Sequence, residues 1–597
     1  MSRAVADRAP VVDAIRRVAL RRARYCAIRS PHGEMTFETL VARMDGLAAY
    51  LAGLGIGSGQ RVAVVMERSP EMVIAVLGTM AAGAAYVPLD PDAPAERLAR
   101  LVADCRPSLV LADATDAISW ERVRRSTPSE WPTEGPAARG GDPPASSRPA
   151  YIVYTSGSTG APKGVVVGHP ALESYLAWAV SSLPFDGFGV PLFASLSFDH
   201  AVTCLYPPLL AGEPLVLLPP IHGGRKLAEG LLGGRRYSFV KVTPSHARML
   251  TLDQRAELGR SAGLVMFGGE RLTSDLVEQV RADRPDLPVM NHYGPTEATV
   301  GCCVFLVPPT FAGTRVPIGT PIPGADVSIR RATGEIVDEH RETGELYVGG
   351  ASLADGYWDR EELTAEAFVT VPDASGADRR WYRTGDLVRR DASGDLEYVG
   401  RRDDQVKILG HRIELGEIEQ ALRSHAAVES AVVVVSEQQS VTELVAAVSA
   451  RPGRVTERDL KHHLAVRLLP QMIPRRIAVL ERLPVTSRGK VDRSRILELA
   501  LASSEHEDAA ALTEEDVLTR KFRDALAVDA LSVDDDFFEL GGDSMAAVEI
   551  AASASAHFQI ALEPAILFDY PTVRGLAERI RELRGEMPRR LDREHDR

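Results

Sequence analysis

No stretch of the chain approaches the roughly 18 uninterrupted apolar residues that a membrane-spanning helix needs, so a spanning segment is not expected. Cysteine is scarce: Cys26, Cys105, Cys204, Cys302 and Cys303 form an odd, scattered set without metal-ligand spacing. That excludes a disulfide framework and a cysteine-built metal site. The first twenty residues are Arg-rich and polar, unlike an apolar leader, so the cytosol is the expected compartment. Positive charge is in short supply as well. With 69 Lys and Arg against 82 Asp and Glu, the net charge of −13 argues against a general nucleic-acid binder. No internal repeat is visible.

What is present is ordinary soluble-protein composition, 45% hydrophobic and 25% charged, over 597 residues, too many for one core. Strand-like runs such as Arg61–Met66 and Pro214–Leu218 alternate with helical runs such as Glu71–Ala82 and Glu96–Asp104, which favours α/β layers. Thr127–Pro149 is rich in Pro, Gly and Ser and reads as a surface loop or linker. Acidic residues gather around Ala502–Asp516, and the chain beyond is short, acidic and helix-prone, suggesting a small bundle. The charge-dense end, Arg584–Arg597, is expected to fray.

The most telling segment is YIVYTSGSTGAPKG, Tyr151 to Gly164. Its glycines let backbone N–H groups approach a ligand, Thr155, Ser156, Ser158 and Thr159 add hydroxyl donors, and Lys163 adds a positive charge. Such a loop cradles an anion, most plausibly phosphate. The β-prone run before it and Val165–Val167 after it argue against a flexible linker. Pro162 before Lys163 and Gly164 after it separate the loop from a Walker A sequence.

Further motifs accompany this loop: Asn291-His292-Tyr293-Gly294-Pro295-Thr296-Glu297, Trp381–Leu387 around Thr384-Gly385-Asp386, Gly400–Lys407, and Thr486–Asp492 around Lys490. Singly each is weak, since a Thr-Gly-Asp is usually a turn and a charge run a solvated face. In this order and at these separations they resemble the adenylate-forming superfamily, and within it the amino-acid-adenylating domains of nonribosomal peptide synthetases. The resemblance runs from about Met35-Thr36-Phe37 onward and includes Ala85–Asp90 and Gly344–Gly350. Near the end, Asp536–Ser544 (DFFELGGDS) resembles the attachment site of a carrier protein, in which Ser544 receives a 4′-phosphopantetheine arm. A serine helix cap is the bland alternative for that position, but the preceding Leu540-Gly541-Gly542-Asp543 favours the modified serine.

The resemblance implies a fold: a large α/β domain of layered sheets with a barrel-like part (1–402), a small mobile α+β subdomain (403–500), and a four-helix-bundle carrier (511–585). It also implies roles. The Thr155–Lys163 loop would close over the β- and γ-phosphates of ATP while the substrate carboxylate attacks the α-phosphorus. Glu297 would hold Mg²⁺, Tyr293 would lie against adenine with Asn291 and Thr296 alongside, and Asp386 with Arg401 would fix the ribose. Lys490 would bridge carboxylate and phosphate, and Asp403 would be the hinge on which the small subdomain turns before the pantetheine thiol attacks. A carboxylate is already a nucleophile, so positioning and charge neutralisation suffice.

Asp199 falls where amino-acid-activating members keep an aspartate for the α-ammonium. The remaining pocket positions, aligned on local motifs, are His200, Thr203, Lys241, Met266, Gly268, His292, Val300 and Gly301. A lysine in a closed pocket is costly unless something negative meets it, so Lys241 with His292 points to a second substrate carboxylate: L-aspartate or a β-substituted aspartate. Asparagine is the alternative. His200 departs from the pattern, and either enlarges the positive field, contacts a β-substituent, or stands neutral behind the pocket. An acyl-CoA ligase using free coenzyme A is disfavoured by Asp199 and the fused carrier. A scaffold without catalysis is disfavoured by Lys490, Glu297 and Asp386. With no condensation or thioesterase segment, a loading module for natural-product biosynthesis is expected. Its partners would be a phosphopantetheinyl transferase and a downstream condensation or tailoring enzyme; dependence on an MbtH-like helper is left open.

Overall fold

The computed structural model describes residues 11–113, 123–134, 148–157, 160–219, 224–337, 340, 342–403, 405–408, 410–438, 441–451, 454–484, 491–502, 513–526, 531–538, 540, 542, 544–558, 560 and 562–584. The alternating runs of the sequence become α/β layers. Strand Arg61–Val65 lies between Ala85–Leu89 and Leu109–Ala112, parallel to both, in a seven-stranded sheet. The helices Pro70–Ala81 and Ala95–Cys105 connect these strands, close to the expected limits. Ser69 caps the first of them, its side chain accepting from Met72 N, with Pro70 in the first turn where its missing N–H is harmless.

The opposite half of that sheet is antiparallel. Pro149–Thr155 and Lys163–Gly168 form a hairpin whose last pair is Thr155 with Lys163, so the glycine-rich segment is its connecting loop. A second sheet carries Val240–Val242, Val265–Gly268 and Val289–Tyr293 in parallel, then Cys303–Val307 antiparallel. The barrel-like part is an antiparallel sheet in which the long strand Asp378–Arg390 pairs Gly344–Gly350, Phe368–Pro372 and Leu396–Arg401. Its strand path among the described residues is open rather than closed.

The small subdomain opens with the hairpin Gln405–Ile408/His411–Glu414, followed by helix Leu415–Arg423 and a sheet of Val428–Gln438, Val441–Ala450 and Arg476–Leu480. Its core is separate, built on Ile413, Ile418, Leu422, Val433 and Ala446. The carrier region has helices Glu514–Leu526, Ser544–Phe558, Ile566–Asp569 and Val573–Leu583 around Leu518, Phe522, Phe537, Ile550 and Leu576.

One segment departs from the sequence reading. Thr127–Glu134 is packed, not a free linker: Trp131 is buried, and its indole donates to Ser126 Oγ at 3.1 Å. A single indole among prolines and glycines supplies enough apolar area to anchor the stretch. No helix among the described residues is long and apolar enough to cross a membrane, and the five cysteines are unpaired thiols.

Candidate active site

The phosphate loop is shaped by its glycines. A Cβ at Gly157 would stand 1.9 Å from the Ala161 carbonyl oxygen, and Gly160 has φ +83°, the left-handed region. Thr155 Oγ1 is buried with no hydrogen-bond partner among the described residues, an orphan polar atom at the mouth of the loop. Lys163 Nζ donates to Tyr357 Oη at 2.9 Å and stands 3.5 Å from Glu297 Oε1. Burial, with Arg412 adding to it, pushes the Lys163 ammonium down to about 8. Ser158 and Thr159 lie outside the described residues.

Glu297 sits on a short helical turn, Thr296–Ala298, followed by Thr299 and Val300 at φ 54° and 72°. A β-branched residue in the left-handed region is costly, and such strain marks sites that the surrounding fold overdetermines. Both Glu297 oxygens accept from Arg412 Nη1 at 2.9 Å, and Tyr357 Oη donates to Oε1 at 2.7 Å. Burial alone would raise this carboxyl, but Arg412, Lys163 and the Tyr357 hydroxyl outweigh it and hold it at about 2.

On the next wall Tyr293 donates its hydroxyl to Asp386 Oδ2, and Arg401 Nη1 donates to Asp386 Oδ1 at 2.5 Å. Arg401 also grips Asp403, through Nε at 2.6 Å and Nη2 at 2.8 Å, so one guanidinium joins the two carboxylates. Gly385 leaves room for it: a Cβ there would lie 2.7 Å from Arg401 Nη2. Lys407 is half-buried with its ammonium 5.6 Å from the centre of the Tyr293 ring. Asn291 is turned elsewhere; its amide donates to the Pro317 carbonyl at 2.7 Å.

The amino-acid end follows from strand geometry. Side chains at i and i+2 share a face, and the register sets Lys241 beside Met266 and Gly268 beside His292. Val240, Val242, Val265 and Phe267 point the other way, into a separate core cluster. Asp199, His200, Lys241, Gly268, His292, Val300 and Thr296 line one pocket with Asp386, Arg401, Lys407 and Arg412. Met266 shares their face but packs into the core, and Gly301 lies behind His292, so neither lines the pocket. Thr203 reaches it through Lys241.

Lys241 is 1% exposed, donates to Thr203 Oγ1 at 2.7 Å and to the His200 carbonyl at 3.4 Å, and has no ion-pair partner among the described residues. Burial lowers it to about 8. Asp199 Oδ2 is buried with no hydrogen-bond partner among the described residues, and burial raises its carboxyl against the pull of the Thr296 hydroxyl, Lys241 and Lys407. His200 and His292 are both held well below the usual imidazole range by burial and by Lys241. This favours a neutral His200 over one that enlarges the positive field. His292 stacks on Trp178 at 5.6 Å between ring centres, with Nε2 3.3 Å from Tyr175 Oη.

A Cβ at Gly301 would stand 2.0 Å from His292 Nε2. Trp178 and Tyr175 leave the ring no free direction, so Gly301→Ala displaces it into the pocket. The specificity constant for the amino acid is expected to fall roughly 100-fold, the cost of about an ångström of misplacement, with KM for ATP nearly unchanged in steady-state exchange assays.

Several residues at this site carried no assigned role in the sequence. Tyr357, Phe198, Gly410 and Arg412 surround the pocket or its carboxylate. Lys407 and Arg412 have a faint signal, basic residues alternating with Val406, Ile408 and Ile413 on strands. Lys490 lies outside the described residues. Ser544 is the first residue of helix Ser544–Phe558, remote in sequence from the pocket.

This geometry matches known proteins. Residues 15–358 match the AMP-binding enzyme family, 417–490 the AMP-binding enzyme C-terminal domain, and 516–580 the phosphopantetheine attachment site. Over 564 residues the chain is 33% identical to tyrocidine synthase 3 of Brevibacillus parabrevis, covering 91% of the chain and 8% of that protein. It is 35% identical to the phosphinothricin tripeptide synthetase PhsC of Streptomyces viridochromogenes over 583 residues, covering 94% and 52%. The chain thus spans from less than a tenth to about half of these relatives. Among solved structures, holo-PA1221, a protein containing adenylation and PCP domains bound to a vinylsulfonamide inhibitor, superposes with a TM-score of 0.77 at 27% identity, covering 97% of each chain.

The chain belongs to the AMP-binding, adenylate-forming enzymes. Within them it is of the nonribosomal peptide synthetase kind, an adenylation unit with an attached carrier, a family of ligases.

Proposed function

We propose that the chain adenylates an amino acid with ATP and loads it as a thioester onto its carrier, and that this amino acid is L-aspartate or a β-substituted aspartate. The observation that carries this reading is Lys241: a fully buried ammonium on the pocket wall, bonded to neutral oxygens and facing no protein carboxylate within ion-pair distance among the described residues. A buried charge without a counter-ion is costly, and a side-chain carboxylate of the substrate supplies one. Gly268 lines the same pocket beside Lys241, and a Cβ there would be tight only against the His292 carbonyl, at 3.1 Å. The unpartnered Asp199 Oδ2 faces the same space and suits the substrate ammonium.

In this reading the α-carboxylate points toward Lys407 and the Asp386–Arg401 wall, where ATP places its α-phosphorus. Lys163 and the loop hydroxyls hold the β- and γ-phosphates, and Lys490 bridges the reacting groups. Glu297 suits Mg²⁺: it is an ionised oxygen donor, with the unpartnered Thr155 hydroxyl close to the same loop. Bound with the triphosphate, the ion would neutralise charge. In the orientation seen here Arg412 occupies the Glu297 oxygens, so the hairpin carrying Arg412 must withdraw for the metal to enter.

Boundaries near 402 and 500 are supported by the separate core of the small subdomain, and the hinge at Asp403 by its place between strands Leu396–Arg401 and Gln405–Ile408. Ser544 is the proposed arm attachment point. A phosphopantetheinyl transferase and a downstream condensation or tailoring enzyme are the proposed partners.

The reading has a pH signature. The Lys241 cation, depressed to about 8 in the free enzyme, predominates below that pH and is lost above it. At saturating ATP, which keeps Lys163 charged, the specificity constant for aspartate is expected to decline as pH rises through about 8. In Lys241→Met that decline should vanish along with most of the activity. A wild-type profile for aspartate identical to that of Lys241→Met in shape would contradict the reading.

A further inference from the structure

Ser156 stands in the phosphate loop, yet its side-chain hydrogen bonds among the described residues all leave the loop. It is buried, and its Oγ donates to the Arg412 carbonyl at 2.6 Å while accepting from the Glu414 backbone N–H at 3.1 Å. Arg412 and Glu414 lie on strand His411–Glu414, the second arm of the small subdomain's hairpin. The loop and the subdomain meet closely on both sides of this bond: a Cβ at Gly160 would lie 1.9 Å from Gln420 Oε1 on helix Leu415–Arg423. A hydroxyl has one proton, and here that proton is committed to Arg412.

We propose that Ser156 serves two partners in turn, the departing pyrophosphate and then the backbone of Arg412–Glu414, so that pyrophosphate and the docked small subdomain compete for one hydroxyl. This rests on the reading that the Thr155–Lys163 loop binds the phosphates of ATP. The competition gives the order of events a physical basis. While phosphate oxygens hold the Ser156 proton, the buried Glu414 N–H and Arg412 carbonyl would be left unpaired by docking, which is unfavourable. Once pyrophosphate leaves, the same hydroxyl satisfies both. Ser156 is thus a positioning residue for the transfer half-reaction as well as a phosphate ligand for the first.

Other contacts belong to this docked orientation. Arg97 Nη1 meets Glu417 Oε1 at 2.7 Å in a buried pair, and Gly410 N donates to Glu270 Oε1 at 2.6 Å. They stabilise docking away from the phosphate loop, whereas the Ser156 bond ties docking to the phosphates, beside the Arg412–Glu297 contact that ties it to the metal.

The test separates the two roles from the subdomain side. Glu414 has φ −92°, close enough to proline's range that Glu414→Pro removes the N–H with the loop untouched, and Glu414→Ala keeps the N–H while removing the side chain. All proteins are used as the full phosphopantetheinylated chain, with fluorophores on the large domain and the small subdomain. Energy transfer is followed while inorganic pyrophosphate and Mg²⁺ are added, and transfer from a supplied aminoacyl-adenylate to the carrier is timed. In the wild type, pyrophosphate is expected to shift the orientation and slow transfer. Glu414→Pro should retain amino-acid-dependent exchange within about twofold, transfer about tenfold more slowly, and shift at roughly tenfold lower pyrophosphate, the scale of one lost buried hydrogen bond. Glu414→Ala should shift near the wild-type concentration. A wild type whose orientation ignores pyrophosphate would overturn the phosphate-loop reading and the proposal with it. A responsive wild type matched by Glu414→Pro in both transfer rate and pyrophosphate midpoint would overturn the proposal alone.

Discussion

Ser544→Ala is expected to abolish covalent loading and leave amino-acid-dependent pyrophosphate exchange close to wild type. Ser544 begins the helix Ser544–Phe558, whose Ala547, Ile550, Ala551 and Ala554 are buried in the carrier core. Losing a helix-cap hydroxyl costs about 1 kcal/mol, far less than would unfold the bundle or disturb an adenylation pocket built from other domains. Loading differs in kind, because without the hydroxyl there is no arm and no thiol to accept the acyl group. Intact-protein mass spectrometry after treatment with a phosphopantetheinyl transferase, ATP and amino acid reads this directly. The wild type should gain the arm and then the aminoacyl mass, and the variant neither. An aminoacyl adduct on the alanine variant would refute the assignment.

The second large effect concerns Lys241. Its truncation to alanine removes the buried cation assigned to the side-chain carboxylate. Thr203 keeps a partner, because Tyr175 Oη lies 2.6 Å from its hydroxyl, so the wall should not collapse. Deleting one member of a desolvated, charge-assisted contact typically costs ~2–5 kcal/mol, or roughly 30- to several-thousand-fold. That loss should appear in the specificity constant for aspartate and be much smaller for asparagine. His292→Glu should go further and turn preference from aspartate toward asparagine, since an acidic group repels a carboxylate and accepts from an amide. Steady-state exchange with both amino acids measures the ratio. An unchanged ratio in either variant would contradict the placement.

Much of this architecture was legible in the sequence because local chemistry wrote it. The strand before the phosphate loop, the glycines within it and the valines after it each obey a short-range rule, and the hairpin Pro149–Thr155/Lys163–Gly168 follows. The pocket face was legible through family positions, and the period-two geometry of three parallel strands explains why Lys241, Gly268 and His292 share it. The same logic placed Met266 on that face but could not say that it packs into the core. Asn291 was likewise ambiguous, since a carboxamide serves a ligand and a backbone carbonyl equally well, and here the Pro317 carbonyl takes it. The roles of Arg412 and Lys407 were hidden for another reason. They come from the small subdomain, and their meeting with Glu297 and Tyr293 depends on how two separately cored units dock, which no local pattern encodes. The anchoring by Trp131 went unread because composition weighs many prolines and glycines above one indole.

The central claim is that a buried, unmatched lysine selects an acidic amino acid. The most direct measurement is amino-acid-dependent ATP–pyrophosphate exchange across all proteinogenic amino acids, with β-hydroxy- and β-methyl-aspartate included. L-aspartate or one of its β-substituted forms should rank first, and asparagine well below. A screen led by asparagine or by an aliphatic amino acid, with aspartate and its derivatives beneath it, would contradict the account.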